Sequence, residues 1–321
     1  MDLSNFLTIK CTSMKYMFGN NINLKKIIFG NFDTSLCQNM NNLLRNCFSL
    51  LSLNLNNFQT NEVTNIDSMF FNCTSLTILD LSNFNTENIV SMKEVFSQCD
   101  SLISLKLNNW NTAKVKSMNK IFNECSSLIS LDLNHFNTIL VENMTSIFDS
   151  CYSLQYLKIS NFITSNVKTM SDMFAKCEKL KNLDLSNFNT PKVTIMRNMF
   201  TRCRSLTSLD LSNFDTSQVN NMNKMFDSCN SLVFLDISNF NTKNVLDMGK
   251  MFSGCSSLTT INLSNFNTEL VTILEYMFSK CKNLTYLDLS SFNTSKVLNM
   301  ISMFEGCINL DYLNILNFEG N

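Results

Sequence analysis

Apolar residues recur along this chain in two alternating rhythms. Over 76–101 the first has a period of two: Leu79 and Leu81 face one way while Ile78, Asp80 and Ser82 face the other, as in a strand buried on one side. With Leu76 they give the spacing L-x-x-L-x-L. Asn83 then predicts a turn, and Phe84 re-enters the core. Past Thr86 the rhythm lengthens: Ile89, Met92, Val95, Phe96 and Cys99 fall at i, i+3, i+6, i+7 and i+10, one apolar face of a short helix. Thr86 stands where an N-cap hydroxyl would accept from an orphan N–H. The single proline, Pro191, follows Thr190 directly, a first-turn position where a missing N–H costs nothing.

This unit returns every 26 residues without insertion or deletion. Cysteine falls at 47, 73, 99 and on to 307, an aromatic at Phe6, Phe32 and on to Phe318, and threonine from Thr8 to Thr294. A fixed period in this range marks a solenoid, in which each unit touches its neighbours. The expected architecture is an α/β solenoid over 1–321, a single domain of about twelve coils about 4.8 Å apart, roughly 60 Å in all. It is read as a leucine-rich-repeat horseshoe, with a parallel sheet on the concave side and short helices on the convex side. The chain starts and stops within a repeat and shows no polar cap. That is expected of a fragment, an imperfect gene model, or ends covered by a partner.

The repeat, C-x-S-L-x-x-L-D-L-S-N-F-N-T-x-x-V-x-x-M-x-x-M-F-x-x-C, resembles the BspA-type leucine-rich-repeat surface proteins. Residues 203–229, CRSLTSLDLSNFDTSQVNNMNKMFDSC, follow that pattern almost letter for letter. The resemblance implies a non-catalytic binding protein, often linked to adhesion, that is secreted or displayed at the cell surface.

Composition narrows the partners. The formal net charge is −1 with 25 basic and 26 acidic residues, and no basic stripe exists to neutralise a nucleic-acid backbone. No apolar run is long enough to span a bilayer, so membrane insertion is not expected. MDLSNFLTIK does not read as a secretory leader, and a cytoplasmic location is the alternative. No cofactor is expected.

Most chemistry-bearing residues are absorbed by the repeat. All thirteen cysteines occupy repeat columns and lack zinc-ligand spacing. They are expected to be reduced core thiols, as against disulfides or a metal ladder. The methionine columns read as gap-filling core, as against a soft-metal site. His135, the single histidine, stands in the turn column of Asn83, Asn109 and Asn161, where side-chain donors are expected to satisfy turn carbonyls. The Asn-x-Ser/Thr matches at Asn72, Asn143, Asn283 and Asn293 are read as the chance product of an asparagine-rich chain.

The outward strand positions carry the candidate binding residues. The central column alternates Asp80, Lys106, Asp132, Lys158, then runs Asp184, Asp210, Asp236, Asn262, Asp288. Alternating charges should attract across coils. The three consecutive aspartates should repel, and are expected to raise one another's pKa, hold a cation, await a basic ligand, or stand as a solvated strip. Two residues earlier in the repeat, Tyr156, Phe234, Tyr286 and Tyr312 face the same side, aromatic anchors beside acids. The ligand site is therefore read as Tyr156, Asp184, Asp210, Phe234, Asp236, Tyr286, Asp288 and Tyr312, taking a protein or glycan. The alternatives are end-to-end self-association through uncapped coils and an intracellular partner-binding repeat protein.

Overall fold

A computed structural model describes residues 1–319. The chain divides into two compact units, Met1–Phe162 and Ile163–Asn321. In the first, β1 (Ile78–Asp80) pairs in parallel with β2 (Ser104–Lys106), and β3 (Ser130–Asp132) with β4 (Tyr156–Lys158). In the second, β5 (Tyr286–Asp288) pairs in parallel with β6 (Tyr312–Asn314). Every pairing joins residues 26 apart, as in Leu79 with Leu105, so each unit is a solenoid of stacked coils.

A second line of single bridges runs behind the strands. It links Ser13, Asn39, Asn65, Ser91, Ser117 and Asn143 in the first unit, and Thr169, Ile195, Asn221, Asp247, Ile273 and Asn299 in the second. The helical periodicity predicted a helix here, and that expectation is corrected: no helix occurs among the described residues. Met92, Glu94, Phe96 and Gln98 donate their N–H groups to Ser117, Asn119, Ile121 and Asn123 of the next coil. Ser97 and Cys99 instead close four-residue turns onto Glu94 and Phe96. The reason is steric. A helix with its side chains is about 10–12 Å wide, whereas neighbouring strand-paired coils lie only about 4.8 Å apart. A chain of turns is thin enough to stack at that step, and it buries the same i, i+3, i+7 positions as a helix. The helix-driven case for a horseshoe loses its basis with the helices.

The turns need left-handed residues. Glu94 and Gln98 have φ of 56° and 62°, and the same two positions recur in successive coils. Polar side chains fill most of them, while Gly254 and Gly306, at φ 71° and 74°, relieve the Cβ strain.

The predicted core columns are buried. Leu79, Leu81, Phe84, Ile89, Met92, Val95, Phe96 and Cys99 all lie inside. Phenylalanine rings repeat in register: Phe200, Phe226 and Phe252 stack with centroids 5.6 and 5.8 Å apart and planes within 5°. The offset lets each ring touch the next without a face-to-face sandwich.

The threonine column does not cap helices. Thr60 Oγ1 donates to the Asn85 carbonyl at 3.0 Å and accepts from the Asn85 N–H at 2.8 Å, replacing a ladder rung between coils. Pro191 sits inside the turn closed by Val193 N–H on Thr190 O at 3.1 Å, a position that suits its fixed φ and needs no donor.

Candidate functional site

Each outward strand position inherits its direction from the buried leucine beside it. Because Leu209, Leu235 and Leu287 turn inward, Asp210, Phe234, Asp236, Tyr286 and Asp288 are held on the open face. Of the candidate residues, Tyr156 lies in the first unit, on β4, and is 68% exposed. The other seven lie in the second unit. There Phe234 is 66% exposed, and Tyr286 and Tyr312 stack with centroids 4.6 Å apart and planes within 4°.

The columns behave differently in the two units. In the first, the alternating charges pair: Lys106 Nζ reaches Asp80 Oδ2 at 3.1 Å, and Lys158 Nζ reaches Asp132 Oδ2 at 3.0 Å. In the second, no lysine or arginine pairs with Asp184, Asp210, Asp236 or Asp288 among the described residues. Strand ladders form at Asp80–Lys106, Asp132–Lys158 and Tyr286–Tyr312, but not between the equally opposite charges of Lys106 and Asp132, so charge alone does not decide them. Around Asp184, Asp210 and Asp236 no strand forms.

Mutual repulsion does not raise these carboxyl pKa values; that expectation is corrected. Ser212 donates to Asp210 Oδ1 through its hydroxyl at 2.7 Å and its N–H at 3.0 Å, and these bonds hold Asp210 below the usual carboxylate range. Asp184 is lowered by the hydroxyl and N–H of Ser186, against a smaller opposing push from Asp210. Ser238 lowers Asp236 and Ser290 lowers Asp288, in each case chiefly through the backbone N–H. Hydrogen bonds to the charged form outweigh repulsion between screened surface groups. All four carboxylates are therefore ionised at neutral pH.

The face is not flat. A hollow of about 300 Å³ lies against Phe234, between Asp210 and Asp236, with Ser212 and Ser238 at its rim. A second, of about 520 Å³, lies against Tyr286, between Asn262 and Asp288, with Ser264 and Ser290 in the corresponding places. Each arises where a small residue precedes a ring in the column, Ser208 before Phe234 and Thr260 before Tyr286. The serines and this small-before-large alternation were the missed signals. The Asp-x-Ser spacing of the repeat motif contains the first, and the column order contains the second. A larger hollow of about 750 Å³ in the first unit is lined by turn residues from Gly30 to Asn83 and holds none of the candidate residues.

The remaining chemistry is structural. Cys99 Sγ donates to the Phe70 carbonyl of the preceding coil at 3.1 Å, and Cys229 Sγ to that of Phe200 at 3.1 Å. No disulfide joins any of the thirteen cysteines, and burial raises Cys99 and Cys255 to about 12. His135 Nε2 lies 2.8 Å from the Leu107 carbonyl. Asn109 and Asn161 bond turn carbonyls in the same way, at 2.8 Å each. Among the described residues, no three His, Cys, Asp or Glu side chains come together to hold a metal ion, and no helix is long and apolar enough to cross a membrane.

A family model described as "Mycoplasma protein of unknown function, DUF285" matches residues 1–104, 71–158, 142–234 and 225–319. No curated protein matches the chain. Among solved structures it is similar to a leucine-rich repeat protein from Bacteroides ovatus (18% identity, 93% of this chain and 80% of that one, TM-score 0.44). It is also similar to a leucine-rich cell surface protein from Faecalibacterium prausnitzii (18% identity, 82% and 79%, TM-score 0.38). An internalin from Listeria monocytogenes is a further match (16% identity, 93% and 85%, TM-score 0.30).

Proposed function

We propose that this chain, which belongs to the DUF285 family of Mycoplasma proteins of unknown function, is a non-catalytic repeat scaffold. It recognises a protein or glycan ligand on the open strand face of its second unit. The observation that carries this reading is the exposed aromatic and ionised acidic surface around Phe234, Asp210 and Asp236. It stands on a frame whose cysteines, threonines and turn asparagines are spent on holding coils together. Exposed aromatics beside charges are what interfaces use as anchors. A cell-surface or secreted location and a role in adhesion, implied by the sequence resemblance, belong to the same reading.

The test is binding of the purified chain to glycan and peptide arrays, alongside Phe234→Ala and Asp210→Lys. Both variants should keep the thermal midpoint, because both side chains are exposed, and both should lose the ligands that the parent retains. Ligands bound equally by parent and variants would overturn the reading, and so would an absence of any ligand.

A further inference from the structure

The two hollows on the second unit are the same structure built twice. Every residue lining the Phe234 hollow has its counterpart two repeats later in the Tyr286 hollow: Asp210 and Asn262, Asp236 and Asp288, Ser238 and Ser290. Each offers a ring wall beside a carboxylate that its serine keeps ionised. An aromatic face and a carboxylate together select a cation. The first unit shows which cation the column accepts. There Lys106 and Lys158 occupy the positions of Asp236 and Asp288 and pair with the aspartate of the preceding coil. In the second unit the lysine is replaced by another acid, and the position across the coil is left without a cation among the described residues.

We infer that the paired hollows bind two lysine or arginine side chains of one extended polypeptide, one against Phe234 between Asp210 and Asp236, the other against Tyr286 beside Asp288. This deepens the proposed recognition role and rests on it. The hollows are two coil steps apart, about 10 Å by the inter-strand spacing. In a polyproline II segment, residues three apart point the same way and lie about 9 Å from one another. In a β-strand the same-face repeat is about 7 Å. The ligand is therefore a basic segment with cations at i and i+3.

The experiment measures affinity by fluorescence anisotropy for three labelled proline-rich peptides. One carries lysine at every third position, one has the same composition with adjacent lysines, and one has glutamine for lysine. The first should bind about tenfold tighter than the second, the third should not bind, and added salt should weaken the first. Asp236→Lys installs the lysine that the first unit already carries. It should lower affinity at least about tenfold while leaving the thermal midpoint equal or higher. Phe234→Ala and Tyr286→Ala should each weaken binding. Equal affinity for the two lysine peptides, indifference to Asp236→Lys, or no peptide binding overturns the inference. If neutral oligosaccharides bind instead and Phe234→Ala abolishes that binding, the basic-segment inference falls while the recognition role stands.

Discussion

Thr242 grips Asn267 in the next coil by both backbone polar groups, donating to its carbonyl at 2.9 Å and accepting from its N–H at 2.8 Å. One hydroxyl thereby supplies both halves of a ladder rung at the bend, where the two backbones do not bond directly. Thr242→Val keeps the shape and removes both bonds. It should cost about 1–3 kcal/mol, read as a lower urea midpoint with unchanged slope. Thr242→Ser should recover most of the loss; if Val and Ser behave alike, the hydroxyl is not the link between coils.

Lys280 separates the turn architecture from the helix that periodicity predicts. Its φ is 61° and its side chain is exposed. In a helix interior Lys→Gly costs about 1 kcal/mol. At this left-handed position glycine relieves Cβ strain, so Lys280→Gly should be neutral or stabilising by up to about 1 kcal/mol. Equilibrium denaturation gives the sign, and a clear loss would contradict the turn.

Phe214 is 3% exposed and stacks on Phe188 with centroids 6.2 Å apart. Phe214→Ala should cost about 3–5 kcal/mol, the price of a large core truncation. A loss below about 1 kcal/mol, within the range of ordinary surface substitutions, would contradict the burial of the aromatic column.

The thiol ladder makes stability fall in alkali. Burial raises Cys255 from 9.0 to about 12 and Cys47 to about 11. Below pH 9 folded and unfolded chains both hold these protons, and the stabilisation is complete. Between about 9 and 12 the unfolded chain releases protons that the folded chain retains, so stability declines as pH rises. Urea titrations at pH 7.5 and 10 should show that decline, with a shallower slope for Cys255→Ala. An identical slope in the variant would mean that this thiol does not contribute.

Much of the fold was legible because each buried position recurs at every coil. Leu79, Phe96 and Cys99 could be assigned to the core from spacing alone, and Asp80–Lys106 could be paired from column order. The error at 89–99 has a definite source. A stack of turns and a helix bury residues at nearly the same intervals, so periodicity cannot tell them apart. At the candidate site, Phe234 was visible as an outward-facing phenylalanine and Asp210 as the middle of three consecutive aspartates. Ser212 and Ser238 were not, because serine at that position belongs to the repeat motif and drew no attention as a ligand to the neighbouring carboxylate.

The order of side chains along the chain was enough to dictate a stacked-coil solenoid, its buried columns and the outward face of Asp210 and Phe234, since those follow from period and alternation. The packing of coil against coil decided what local pattern could not. It set which N–H groups left their own coil, which excluded the helices. It turned Thr242 into a link between backbones, and it opened the hollows beside Phe234 and Tyr286. All of these depend on how closely neighbouring coils approach, a distance that no single repeat contains.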